Sequence, residues 1–96
     1  MSGISVVAYR DGDLWVAQCV EYDIAARADS LERLPRAFDR ALAANMLVNA
    51  ELGRSKLEGI PPAPSRFKPL FDEAQEIAPL EQIRPTEIRM RLAEAA

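Results

Sequence analysis

Ile4-Ser5-Val6-Val7-Ala8-Tyr9-Arg10-Asp11-Gly12-Asp13-Leu14-Trp15-Val16-Ala17-Gln18-Cys19-Val20 has the pattern of a β-ribbon around which the remaining elements are arranged. Two apolar runs, Ile4 to Tyr9 and Leu14 to Val20, flank Asp11-Gly12-Asp13, and Asp-Gly between such runs is a strong hairpin signal. A type I′ turn on Asp11-Gly12 sets Arg10 opposite Asp13, Tyr9 opposite Leu14, Ala8 opposite Trp15 and Val6 opposite Ala17. One face of the ribbon then carries Ile4, Val6, Ala8, Trp15, Ala17 and Cys19, and the other carries Val7, Tyr9, Leu14 and Val16. A three-residue turn that includes Asp13 slips the register by one and exchanges the faces of one strand. In either register both faces are apolar. One helix covers one face, so the other is expected to pack on a second copy or a partner.

Beyond the ribbon comes an acidic corner, Glu21-Tyr22-Asp23, and then Ile24 to Ala28. Alanine is a poor strand former, so a third strand there is expected from its position between a corner and a helix start. Asp29 with Glu32 matches a capping box. Leu31, Leu34, Phe38, Ala41, Leu42, Val48 and Leu52 recur at helical spacing, with Glu32, Arg33, Arg36, Asp39 and Arg40 on the other side. Glu32 and Arg36 are a favourable four-apart pair. Pro35 either kinks this helix or sits in its first turn, with the helix starting near Leu34. The helix is expected to run for about five turns and to stop before Gly53.

From Leu57 to Pro69 the prolines predict an extended, non-helical connector. A short helix is expected over Phe71 to Ile77, and an irregular piece between Pro79 and Pro85. Thr86 to Leu92 alternates polar and apolar residues and predicts a half-buried strand; a terminal helix is the alternative, since Ile88 and Leu92 are four apart. The class is α+β.

Ninety-six residues make one modest domain, and 49% hydrophobic with 28% charged residues is a globular balance rather than a disordered one. No apolar run approaches the roughly 18 residues of a membrane span, and Met1-Ser2-Gly3 does not open a signal peptide. A cytoplasmic location without membrane attachment is expected. The single cysteine, Cys19, excludes an internal disulfide and a multi-cysteine metal site, and reads as a small buried hydrophobe rather than a reactive thiol. The absence of histidine removes the usual general base and the commonest transition-metal ligand. No cofactor, metal site or catalytic residue is expected. The net charge of −3 disfavours a free-standing nucleic-acid binder and suits a basic partner.

Trp15-Val16-Ala17-Gln18-Cys19-Val20-Glu21-Tyr22-Asp23-Ile24, followed by Ala28-Asp29-Ser30-Leu31-Glu32 and a helix, resembles the HicB-like antitoxins. Their pattern is an aromatic-x-Ala-x-Cys strand, a short corner, a strand ending Gly-Asp-Thr and an amphipathic helix. Gly59-Ile60-Pro61-Pro62-Ala63-Pro64-Ser65 resembles the connector that follows. The match covers residues 4 to about 66, with Ala28 standing for the usual glycine and Pro35 inside the helix segment. It implies a partial RNase H-like fold, β-β-β-α-β: a three-stranded antiparallel sheet, one main helix across it, and a late fourth strand. Residues 1–66 are then the HicB-like unit with its connector, and residues 67–96 a C-terminal extension whose short helix and strand complete the same domain.

The resemblance also implies a homo-oligomer, dimer or tetramer, that binds a small basic mRNA-cleaving toxin of the HicA type and obstructs its active site. Many family members bind operator DNA through a further C-terminal domain. The residues after Ser65 are too few and too proline-broken for one, so DNA binding is not expected.

Candidate partner-binding residues are Trp15, Glu21, Tyr22 and Asp23. For Glu21 and Asp23 the plain reading is a solvated, turn-capping corner, and the sharper one is contact with arginines of a partner. Metal catalysis is the least favoured, because the strand Ile4 to Tyr9 carries no acid. Trp15 reads as core packing against the helix or as an interface anchor. Arg27, Arg33, Arg36 and Arg40 alternate with acids and read as a solvated helix face rather than a phosphate surface. The functional expectation is a non-enzymatic antitoxin-like blocker. The alternative is a stand-alone oligomeric regulatory module of the same fold, and an enzyme ranks third.

Overall fold

The computed structural model describes residues 3–76 and 88–93. Its hairpin forms two residues away from the expected register. β1 (Ile4–Asp11) and β2 (Leu14–Cys19) pair antiparallel with Asp11 opposite Leu14, Tyr9 opposite Val16 and Val6 opposite Cys19. The turn is therefore Gly12-Asp13, not Asp11-Gly12. Gly12 has φ +63° and, among the described residues, no non-glycine residue has positive φ. A left-handed first position alone is the sign pattern of a type II′ turn, which the same Asp-Gly-Asp sequence serves by shifting one residue along. A slip of two leaves every side chain on its face. Ile4, Val6, Ala8, Ala17 and Cys19 accordingly share one core with Leu34, Phe38 and Leu42, and Trp15 packs at its margin.

β3 (Ala25–Ala28) pairs antiparallel with β2. β5 (Ile88–Leu92) then joins the far side of β1 in parallel, Ile4 opposite Ile88 and Ala8 opposite Leu92, and β4 (Gln75–Glu76) borders it. The sheet is five-stranded in the order β3-β2-β1-β5-β4, mixed rather than a three-stranded antiparallel sheet with one added strand. A two-residue β4 is too short to leave an alternation signal, which is why the expected count was four. The parallel pairing follows from the long crossover that separates β3 from β5. The class is α+β, as expected. Thr86 and Glu87, the first residues of the expected late strand, lie outside the described residues, as does Ile77 at the end of the expected short helix.

α1 (Leu34–Glu51) starts where proline allows it. Pro35 lies in the first turn, whose N–H groups have no intrahelical acceptor, so the missing donor is harmless there. The Asp29/Glu32 capping box does not form, because the helix begins beyond it. Instead the Ser30 hydroxyl accepts from the Arg33 N–H at 3.4 Å, and Arg33 pairs with Asp29 at 3.2 Å. Glu32 is outside the helix, and the ion pairs of the described residues do not include Glu32–Arg36. The stop at Gly53 is a Schellman motif. Gly53 has φ +72°, its N–H donates to the Ala50 carbonyl, and the Arg54 N–H donates to that of Asn49 at 2.8 Å. The buried line of α1 is Leu34, Phe38, Leu42 and Asn49. Val48 and Leu52, expected on the core side, are exposed. Asn49 takes the inward position, and its Nδ2 donates to the carbonyls of Lys56 (2.9 Å) and Glu58 (3.1 Å), so that turn of the helix clamps the next loop instead of filling core.

α2 (Phe67–Glu73) begins inside the stretch expected to be non-helical, with Pro69 in its first turn. It covers the second face of the sheet. Val7, Phe67, Phe71 and Ala93 form a separate buried cluster, flanked by Tyr9, Val20, Ala63, Leu70 and Ala74, and the Tyr9 and Phe67 rings stack at 6.0 Å. The expectation that this face needs another copy or a partner is therefore corrected. Val7 and Val16 are fully sheltered by the chain itself, and only Leu14 stays open at the hairpin end. The proline-rich composition had concealed a helix with two inward phenylalanines. Arg91 ties α2 to β5: its Nη1 donates to the Phe71 carbonyl at 3.3 Å and its guanidinium lies 4.4 Å from the Phe71 ring. Among the described residues no helix is long and apolar enough to cross a membrane.

Candidate binding surface

The corner after β2 is built by hydrogen bonds rather than by packing alone. Gln18 is buried, and its Nε2 donates to the Cys19 carbonyl (3.0 Å) and to Asp23 Oδ1 (3.1 Å). Glu21 Oε1 accepts the Ser5 N–H at 2.7 Å, so a carboxylate replaces a ladder partner at the end of β1. The Asp23 N–H donates to the Pro61 carbonyl at 2.7 Å, and the Ala63 N–H donates to that of Val20 at 3.2 Å. Prolines cannot donate, so the connector lends the Pro61 carbonyl and the Ala63 N–H to the corner. In doing so it carries the chain from the α1 face to the α2 face.

Beside the corner lies an open hollow of about 620 Å³, lined by Tyr22 and by Ser55, Lys56, Leu57, Glu58, Gly59 and Ile60. Leu57 is buried and Tyr22 half-buried, which gives the hollow an apolar floor. Lys56 and Glu58 in its lining are exposed, as are Glu21 and Asp23, the chain neighbours of Tyr22. Glu58 Oε1 also accepts the Ser55 N–H at 2.9 Å, which fixes the loop. Of the residues singled out from sequence, the structure brings Glu21, Tyr22 and Asp23 together at one end of β2. Trp15 is at the other end. The run from Trp15 to Cys19 alone spans roughly 13 Å at strand rise. Trp15 is half-buried, with the Arg10 guanidinium 5.5 Å from its ring. The loop 55–60 was missed as part of the surface. Its only sequence signal is Pro61 next to Ile60, and the contact with Asp23 spans too many residues for local pattern to reveal it.

The remaining chemistry is sparse. Among the described residues no three of His, Cys, Asp and Glu cluster so as to hold a metal ion. Arg89 Nη2 donates to the Ser5 hydroxyl at 2.8 Å and Arg91 is bound to α2, so the tail arginines serve packing. Cys19 is buried, and burial, helped by the nearby Glu21 carboxylate, pushes its thiol up to about 11. The thiol is expected to resist iodoacetamide at pH 8 in the folded protein and to react fully once unfolded, as read by mass shift. Because the folded value is raised, stability is present below the unfolded thiol's pKa and falls as pH rises from about 9 toward about 11. Cys19→Ala is expected to remove that component of the alkaline slope in denaturant titrations.

In comparison with known proteins, no family model matches the chain, and neither a curated protein nor a solved structure matches it.

Proposed function

We propose that this protein is a non-enzymatic, HicB-like antitoxin that binds a small basic mRNA-cleaving toxin of the HicA type and blocks its active site. The observation that carries the reading is the path of the chain. β1, β2, β3 and α1 follow one another in the order the resemblance implies, and a late strand, β5, joins the same sheet beside β1. The Glu21-Tyr22-Asp23 corner and the hollow beside it supply the contact surface. Exposed carboxylates there meet basic side chains of the toxin, and the apolar floor takes a side chain from it. Inhibition is steric: the toxin's catalytic groups are covered and not altered.

Co-expression tests the proposal. A HicA-type toxin arrests growth, and this chain is expected to restore it and to co-elute with the toxin. The association rate constant is expected to fall at least tenfold between low and physiological salt, because charge complementarity drives the encounter. Continued arrest with this chain present at high level, together with separate elution of the two proteins, contradicts the proposal. The alternative reading, a stand-alone oligomeric module, predicts that same negative result together with self-association.

A further inference from the structure

The solvent face of α1 is its own complement. Arg40, Ala44, Leu47 and Glu51 are spaced i, i+4, i+7 and i+11 and so form one line along the helix. All four are exposed, on the side away from Leu34, Phe38 and Leu42. The helix leaves large aliphatic side chains in solvent along its C-terminal half: Leu47 is 62% exposed, Val48 54% and Leu52 60%. Neither Arg40 nor Glu51 has an ion-pair partner among the described residues, whose ion pairs are Arg33–Asp29 and Lys68–Asp72.

A second α1 laid antiparallel on this line, about a two-fold axis between Asn45 and Met46, meets it in register. Arg40 falls opposite Glu51 of the second copy, Ala44 opposite its Leu47, and the reverse pairs follow by symmetry. Positive charge meets negative and large meets small at every step. We propose that α1 is a homodimer interface, two copies pairing antiparallel through Arg40, Ala44, Leu47 and Glu51. An unrelated partner has no need of a face that is palindromic in both charge and size, whereas an isologous dimer does. The line is only about 16 Å long, short of a standard interface, so the dimer is weak, with a dissociation constant on the order of micromolar. The inference does not rest on a ribonuclease partner, since the corner and its hollow involve none of these four residues.

Sedimentation equilibrium of the full chain across a range of concentrations tests it. The protein is expected to pass from monomer to dimer. Arg40→Glu and Glu51→Arg are each expected to raise the dissociation constant by more than about tenfold, because each sets like charges opposite one another. An equimolar mixture of the two variants is expected to regain the dimer, since one variant's line is wholly acidic and the other's wholly basic. Leu47→Gln is expected to weaken the dimer without altering the far-ultraviolet circular dichroism, as its side chain is outside the core. A monomer at every concentration overturns the proposal. So does a mixture that stays monomeric, or single variants that dimerise like the parent.

Discussion

Phe71→Ala is expected to lower the unfolding free energy by about 3–5 kcal/mol, a large part of the total for a domain of this size. Phe71 is 3% exposed and stands at the centre of the second core, between Val7, Phe67 and Ala93. Its ring also receives the guanidiniums of Arg91 at 4.4 Å and Arg89 at 5.8 Å. Truncation removes the packing and both cation–π contacts together. The short α2 has only two buried residues, Phe67 and Phe71, and keeps one of them. Release of α2 then exposes Val7 and the Tyr9 ring, so the variant is also expected to bind a hydrophobic dye and to aggregate on warming. Chemical denaturation measures the free-energy change. Phe38→Ala, in the first core on the other face, is a comparable loss, and the two effects are expected to add within about 0.5 kcal/mol because the clusters share no residue.

Ending the chain before Ile88 is expected to abolish cooperative folding. β5 pairs with β1 from Ile4 to Ala8, and β1 is the central strand of the sheet. Its loss bares one whole edge of β1 and removes the partner of β4. The same cut deletes Ala93 from the second core, its N–H bond to the Ala8 carbonyl at 2.8 Å, and the Arg91 anchor of α2. Both cores open at once. A far-ultraviolet melt without a sigmoidal transition is the expected result, and a melt like that of the parent contradicts the topology.

Much of the fold was legible where local chemistry is decisive. The ribbon's two faces follow from period-two alternation, and they survived a register error because the slip was even. The helix end followed from Gly53, whose backbone restriction holds in any tertiary setting, whereas Pro35 left a kink and a start near Leu34 both open, and the helix takes the second. The late strand followed from Ile88, Met90 and Leu92 alternating with Arg89 and Arg91, and the two sets face different cores. What was hidden depends on distant residues. α2 was masked because proline reads as a helix breaker, although Pro69 falls in a first turn. Its effect was large, since the cover for the second face then looked as if it had to come from outside. Asn49 was passed over because a polar residue on the inward line does not register as core, yet it fixes the loop that forms the hollow. In the corner, Glu21, Tyr22 and Asp23 were legible as a group, whereas their union with Ser55 to Ile60 required the fold.

On the proposed function, the acidic corner and its hollow occupy a small basic ribonuclease and silence it. The direct measurement is RNA cleavage by a HicA-type toxin during titration with this protein. Cleavage is expected to fall in proportion to added protein and to reach background near equimolarity. Cleavage that continues undiminished at about tenfold excess, with the protein folded, contradicts the claim.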